Sequence, residues 1–267
     1  MISHDLLTIR EFESNDTKSV IKILVHSFEN KFQHLLNFDT ERLIELLLES
    51  RYFDDEFQEG YWVAKYNNEI KGVIKLSWHN KKEKKITGKV SFKELVKKYG
   101  LMKVIGLNLA LLILSSKPKK RDCYIEHIAV AKSARGLGIG HELLKKAKEY
   151  AFENPDFERL TLFVTQENIQ AIKLYKKLGF DVVYKKTSFL TKLFFNQKVW
   201  FYMAIYKNEE LKGKLIYNQF WWLGFIGFLG FLSFEDIVNA FNGSQSYWYL
   251  LTLLWFLWFI YFIPNRY

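Results

Sequence analysis

The sequence predicts an α/β domain followed by a C-terminal α-helical hairpin of membrane-spanning character. Three observations carry this expectation. Strand-like alternation and helix-like periodicity take turns along the first two hundred residues. A glycine run, RGLGIGH (Arg135 to His141), stands where a strand pattern gives way to a helix pattern. The last fifty or so residues hold two long apolar runs almost devoid of charge.

LLTIREF (Leu6 to Phe12) alternates apolar and polar residues as a half-buried strand does. Asp16 or Thr17 then caps a helix running to about Leu36, and Asp39 or Thr40 caps a second, ERLIELLLES. YWVAKY (Tyr61 to Tyr66) and EIKGVIKLSW (Glu69 to Trp78) flank two asparagines, the signature of a hairpin. A basic run, KKEKK (Lys81 to Lys85), opens an irregular stretch, and FKELVKKYGLMKVIGLNLALLILSS follows with helical character and an apolar second half. Val104 to Leu114 is too short to span a bilayer, so a helix covering a core or lying on a surface is expected. The chain resumes with the strand CYIEHIAV, the glycine loop and its helix, the strand LTLFV, the helix NIQAIKLYKKL, and the extended runs FDVVY and VWFYMAIY.

The formal net charge is +10, yet Asn208 to Tyr267 holds three basic residues against four acidic ones. The basic excess therefore belongs entirely to the first 207 residues, and suits an anionic partner such as a phosphate-rich ligand. Nucleic acid is the weaker choice, because the lysines are scattered through helices whose opposite sides are apolar. A lone Cys123 excludes an intrachain disulfide and reads as a buried thiol. The six histidines and one cysteine show no metal-ligand spacing, so no zinc site is expected. The N-terminal stretch lacks the basic-then-apolar order of a cleaved secretory signal.

The glycine run fits neither of two common phosphate motifs. A dinucleotide fingerprint needs G-x-G-x-x-G, but Gly136, Gly138 and Gly140 leave His141 in the last required place. A P-loop needs Lys-Ser or Lys-Thr after its last glycine, and neither follows. The run does fit R-x-x-G-x-G through Arg135, Gly138 and Gly140. A loop without β-carbons lets an anion approach the backbone, while first-turn N–H groups and the helix dipole favour negative charge. Arg135 adds a full charge and a planar fork suited to phosphate. A glycine-rich turn serving only a tight corner is the competing explanation.

IEHIAVAKSARGLGIGHELL together with NIQAIKLYKKLGF (N-x-x-A-x-x-x-Y-x-x-x-G-F, Asn168 to Phe180) resembles the GCN5-related N-acetyltransferase (GNAT) family. The likeness implies a mixed, mostly antiparallel sheet flanked by helices over residues 1–207, with a helical insertion at about 81–120. It implies acetyl-CoA as co-substrate and an amine, on a small molecule or a protein, as acceptor. Ile128, Ala129 and Val130 would offer strand backbone to the pantetheine arm. The loop of Arg135, Gly136, Leu137, Gly138, Ile139, Gly140 and His141 would take the pyrophosphate. Asn168 would hydrogen-bond the pantetheine, and Tyr175, two helical turns on, would face the thioester sulfur as general acid.

Many relatives carry a Glu five residues before that Asn, where this chain has Phe163. The departure leaves open a non-catalytic acyl-CoA-binding sensor coupled to a membrane partner. The remaining base candidate is Glu126, where other relatives have an acidic residue. Successive strand residues face opposite ways, so only one of Glu126 and His127 is expected to reach the acceptor cleft, and Glu126 is preferred. The insertion enters the chain beside that cleft and reads as a lid.

FWWLGFIGFLGFLSF (Phe220 to Phe234) and YWYLLTLLWFLWFIYFI (Tyr247 to Ile263) lie just under the length of a span, and residues 208–267 read as a two-helix membrane segment in contact with lipid. Lys212, Lys214 and Arg266 lie outside the pair and Glu235 and Asp236 between, so both ends face the cytoplasm by the positive-inside rule. The expectation is a two-span protein of the cell membrane with its transferase domain in the cytoplasm.

Overall fold

The computed structural model describes residues 6–36, 39–50, 59–81 and 90–208, and in the C-terminal part 210, 215–216, 225–226, 228, 232, 234–241, 251, 253–254, 257 and 265–266. The basic stretch after Lys81 lies outside the described residues. The chain divides into two compact units, Met1–Asn208 and Glu209–Tyr267.

The first unit is built on a seven-stranded sheet in the order β1-β2-β3-β4-β5-β7-β6. Its strands are β1 (Leu7–Glu11), β2 (Tyr61–Tyr66), β3 (Glu69–Trp78), β4 (Asp122–Val130), β5 (Arg159–Thr165), β6 (Asp181–Thr187) and β7 (Val199–Tyr206). Every neighbouring pair is antiparallel except β4 and β5. The β2–β3 turn uses Asn67 and Asn68, both at positive φ (50° and 62°). Two such residues in succession give the turn whose twist matches a two-residue hairpin, and asparagine accepts that conformation more readily than most.

Helix α5 (Ile139–Glu153) buries Ile139, Leu143, Leu144, Ala147 and Ala151, a stripe at helical spacing, against one face of the sheet. On the other face α1 (Thr17–Leu36) presents Val20, Ile23 and Leu24 to Tyr61, Val63 and Val73. A second helical layer gathers behind α1. There α2 (Thr40–Glu49), α3 (Phe92–Tyr99), α4 (Leu101–Leu114) and α7 (Phe189–Phe195) share a core that includes Val25, Leu47, Leu107 and Phe195. The predicted insertion helix is two helices, because Gly100 sits at φ 89° and ends α3 one residue before α4 begins. Ser91 and Glu94 cap α3 reciprocally. The run SFLTKLFFNQKVW, ending at Trp200, contains α7, and its Phe195 is core.

In the second unit the described elements are β8 (Leu215–Ile216), paired with β9 (Asn265–Arg266), and α8 (Phe234–Phe241). The expected two-span hairpin needs correction. Among the described residues no helix is long and apolar enough to cross a membrane. The eight residues of α8 reach about 12 Å, against about 30 Å of hydrocarbon. Most of Phe220–Phe234 and Tyr247–Ile263 lies outside the described residues. The two-span cell-membrane location, and the lipid contact inferred from it, are not supported.

Candidate functional site

The centre of the sheet parts. β4 and β5 run parallel and pair only at Asp122–Arg159, Cys123–Leu160 and Tyr124–Thr161. Beyond Tyr124, β4 continues to Val130 and β5 to Thr165 without pairing to each other, so Ile128, Ala129 and Val130 border a wedge. The base of the wedge is pinned by a buried Asp122–Arg159 ion pair, to which the Tyr202 hydroxyl donates a 2.8 Å hydrogen bond at Asp122 Oδ2.

The glycine loop lies at the open end of β4. Gly136 (φ 81°) and Gly138 (φ 77°) adopt the left-handed region, and Gly138 is the N-cap residue of α5. The Gly138 carbonyl accepts from His141 and Glu142 N–H. The preceding first-turn amides are thus those left for an outside acceptor. Among the described residues, its chain neighbours aside, no atom lies within 4 Å of where a Gly136 β-carbon would stand. The loop is therefore open, with Arg135 exposed and its Nε 3.5 Å from the Val130 carbonyl. This cradle fits a diphosphate. Ile139 is 1% exposed, so only its backbone can take part, and a β-carbon on Gly140 would touch Leu174 and Val130. His141 Nδ1 is 3.1 Å from the neighbouring Glu142 carboxylate.

A cavity of about 480 Å³ occupies the wedge and the space between sheet and helices. Asn168, Tyr175, Glu126, His127 and Ile128 all line it. Asn168 is the N-cap of α6 (Ile169–Lys177), where its Oδ1 accepts from Ala171 N–H at 3.3 Å. Its carboxamide nitrogen is the atom that could donate to a ligand. Tyr175 is buried one helix face on, and burial, with Tyr124 adding, pushes its phenol up to about 12. It holds its proton throughout the physiological range.

Glu126 and His127 both line this cavity, contrary to the expectation that strand alternation separates them. The cause is a bulge. On β3, Lys75 pairs with His127 and Leu76 with Ile125, leaving Glu126 as an extra residue of β4. Cys123 and Ile125 pack toward α5, and so do Ile128 and Val130, so the parity of the strand inverts at this point. The Glu126 carboxylate lies 3.4 Å from Lys75 Nζ, and His127 meets Tyr61 edge to face with ring centroids 5.7 Å apart. Burial, with Lys75 and Lys81 adding, pushes His127 down to about 3 and keeps the imidazole neutral.

Phe163 sits in an aromatic group with Tyr202 (centroids 4.9 Å), Tyr184 (6.2 Å) and Tyr124 (6.3 Å). Two site features escaped the sequence reading. Lys75 carried no local sign of its role. Gly72, an isolated glycine inside a strand pattern, did carry one, since such a residue often marks close backbone approach. A β-carbon there would stand 2.7 Å from Ile139 Cγ2 and 3.0 Å from Leu143 Cδ1, so Gly72 lets the first turns of α5 settle on the sheet. Cys123 is buried, and burial pushes its thiol well up, leaving it unreactive. Among the described residues no group of three or more His, Cys, Asp or Glu side chains could hold a metal ion.

A mixed sheet whose central parallel pair parts beside a glycine-initiated helix is the framework of an acetyltransferase. Residues 19–180 match the acetyltransferase (GNAT) family, and the chain belongs to it. It is 37% identical over 59 residues to an uncharacterized N-acetyltransferase, YobR, of Bacillus subtilis (strain 168), covering 22% of this chain and 24% of that protein. It is 41% identical over 61 residues to the thialysine N-epsilon-acetyltransferase of Bos taurus, covering 23% of this chain and 35% of that protein. The matches therefore span about a quarter and about a third of those relatives' lengths. A crystal structure of an acetyltransferase resembles 75% of this chain and 100% of its own at 19% identity, with a TM-score of 0.50. A GNAT-family acetyltransferase from Streptococcus pneumoniae resembles 75% of this chain and 98% of its own at 19% identity, with a TM-score of 0.44. At these identities the likeness of structures concerns the fold alone.

Proposed function

We propose that residues 1–207 form an acetyl-CoA-dependent N-acetyltransferase acting on an amine. The observation that carries this reading is the parting of β4 from β5 beyond Tyr124 and Thr161, beside the exposed first turn of α5. A diphosphate would sit on the amides around Gly136–Gly140 with Arg135, and the pantetheine would run along Ile128–Val130 toward Asn168 and Tyr175.

An amine is protonated at neutral pH, so a base must remove one proton before nitrogen attacks the thioester carbonyl. Glu126 takes that role, directly or through a water. The imidazole of His127, held near 3, is too weak a base for an ammonium and lines the acceptor side as a neutral polar group. As the new C–N bond forms and the C–S bond breaks, nitrogen loses its second proton, which balances protonation of the departing sulfur. A phenol near 12 facing a thiol of about 8.5 stabilises the sulfur by a hydrogen bond more readily than by complete proton transfer. Tyr175 therefore acts as donor to the leaving group.

A second reading is a non-catalytic acyl-CoA-binding module, favoured by Phe163 packed among tyrosines where many relatives have an acid. Thiol release from acetyl-CoA with a panel of amines, alongside calorimetric binding, separates the two. The enzyme reading expects turnover, and Tyr175→Phe lowers kcat about a hundredfold with acetyl-CoA affinity retained. Tight binding with no turnover on any amine leaves the binding module.

A further inference from the structure

Helix α4 is apolar on every side, yet only one side is buried. Its inner face sends Val104, Leu107 and Ala110 into the core shared with α1, α2, α3 and α7. Its outer face carries Met102, Ile105, Leu109 and Leu112, spaced three and four residues apart and so on one stripe, with Met102 and Leu112 80% and 68% exposed. Lys103 and Asn108 are the polar side chains among its 14 residues, and the Asn108 carboxamide donates to the Val104 carbonyl of the same helix. A helix with one side in water carries its polar residues there; α4 does not. Helix α7 repeats the arrangement, for Thr191 and Phe195 are buried while Phe189, Leu190 and Leu193 are exposed, Phe189 to 74%.

The two helices pack on each other and share one core cluster, so their outer faces look away from that core on the same side of the unit. Single exposed apolar residues are ordinary, but a set of them on two packed helices marks an interaction surface. The surrounding charge indicates what it meets. Residues 91–121 hold eight basic side chains and one acidic, Glu94, which is turned back on the Ser91 amide as a cap. Residues 185–198 hold four basic side chains and no acidic one. Lys98 and Arg121 are paired with Glu49 and Glu158, and Lys119 and Lys186 lie over aromatic rings. Lys93, Lys97, Lys117, Lys120, Lys192 and Lys198 are exposed, and in sequence they flank or interrupt the apolar stripes. A second copy of the chain would set the same lysines against these, and nucleic acid would leave the stripes in water. Anionic lipid suits both features, since the headgroup boundary accepts apolar side chains and its phosphates attract lysines.

From the apolar outer faces of α4 and α7 and the lysines that flank them, we propose that this side of the first unit docks peripherally on an anionic lipid bilayer. With 14 residues α4 is about 21 Å long, so it lies in the interface and does not cross. The proposal uses these two helices alone and draws nothing from residues 209–267. It is also independent of the catalytic reading. Leu111 and Leu114 line the cavity from the inner side of α4, so docking holds that cavity one helix away from the lipid.

The test is co-sedimentation of the full chain with vesicles of phosphatidylcholine alone and with vesicles about one third phosphatidylglycerol. Partitioning onto the anionic vesicles is expected to be stronger by about fivefold for each lysine that reaches the surface, and to fall as salt is raised. Leu112→Glu and Phe189→Glu, combined, change two exposed positions outside the cavity lining and should leave the melting profile unchanged. They are expected to lower partitioning at least about tenfold. A second measurement locates the contact: Leu112→Cys, labelled with a polarity-sensitive dye while Cys123 stays buried, shifts its emission to the blue on anionic vesicles. Equal partitioning of the wild type and the double variant would assign lipid binding to another part of the chain and overturn the proposal. So would equal binding to both kinds of vesicle, or no binding. A dimer abolished by the same two substitutions, in place of lipid binding, would make this face a contact between copies and overturn it as well.

Discussion

The Glu126 carboxylate lies 3.4 Å from the Lys75 ammonium, at a bulge where Glu126 has no register partner on β3. The pair joins the strand that borders the wedge to the strand behind it. It also leaves a carboxylate, 38% exposed, facing the cavity beside a neutral imidazole. Replacing Glu126 by Gln keeps the shape and removes the proposed base, and kcat/KM is expected to fall about a hundredfold. His127→Gln is expected to cost much less, because an imidazole near 3 is too weak a base to take a proton from an ammonium. Steady-state kinetics on both variants with one amine decide this; the reverse order of effects would sink the choice of base.

His127 also makes stability depend on pH. Its ordinary value is 6.5, and in the folded chain it is about 3, so the unfolded chain binds the extra proton between those values. The contribution is complete above about 6.5 and is lost as pH falls toward 3. Chemical denaturation at a series of pH values should show wild-type stability falling across that window more steeply than that of His127→Gln. Parallel curves would exclude the buried imidazole as the cause.

Gly72 is a packing position. With a β-carbon only 2.7 Å from Ile139 Cγ2, Gly72→Val must push the first turns of α5 off the sheet. The expected cost is about 1–3 kcal/mol of stability. Because the same turns carry the glycine loop, affinity for coenzyme A should weaken as well. Urea unfolding and calorimetry measure the two effects, and a variant with unaltered affinity would show the loop to be independent of this contact.

Asp122 and Arg159 close the base of the wedge at 1% and 7% exposure. Removing one member strands the other in the interior, so Asp122→Asn is expected to cost about 3 kcal/mol. The Tyr202 hydroxyl keeps an acceptor in that variant, which isolates the charge from the hydrogen bond. Denaturant midpoints supply the measurement; a loss under about 1 kcal/mol would mean the pair is replaceable by neutral polar contacts.

Much of the first unit was legible because its signals are local. Asn67 and Asn68 specify a tight hairpin through their own backbone preferences, the apolar periodicity of α1, α2 and α5 lies within the helices themselves, and the glycines mark the corner where α5 starts, although Asp39 at the start of α2 makes no side-chain cap hydrogen bond. The candidate site residues Glu126, Ile128, Asn168 and Tyr175 were named through the family resemblance that the motifs carry, and they line one cavity. Gly72 and Gly100 were visible as residues, but what each does depends on neighbours or dihedral angles that spacing does not report.

By itself the sequence determined the order of the strands and of most helices, the glycine corner and the family likeness, while the break between α3 and α4 and the helix α7 went unread, since period and turn chemistry act over short stretches of chain. Only the tertiary structure decided that β4 gains an extra residue at Glu126, that β4 and β5 part after three pairs, and that α4 and α7 both line the cavity. A bulge exists only relative to the strand beside it, and a cavity only between elements far apart in the chain. It also overturned the two-span tail, whose apolar composition had suggested spans where the described residues hold no helix long enough to cross a bilayer.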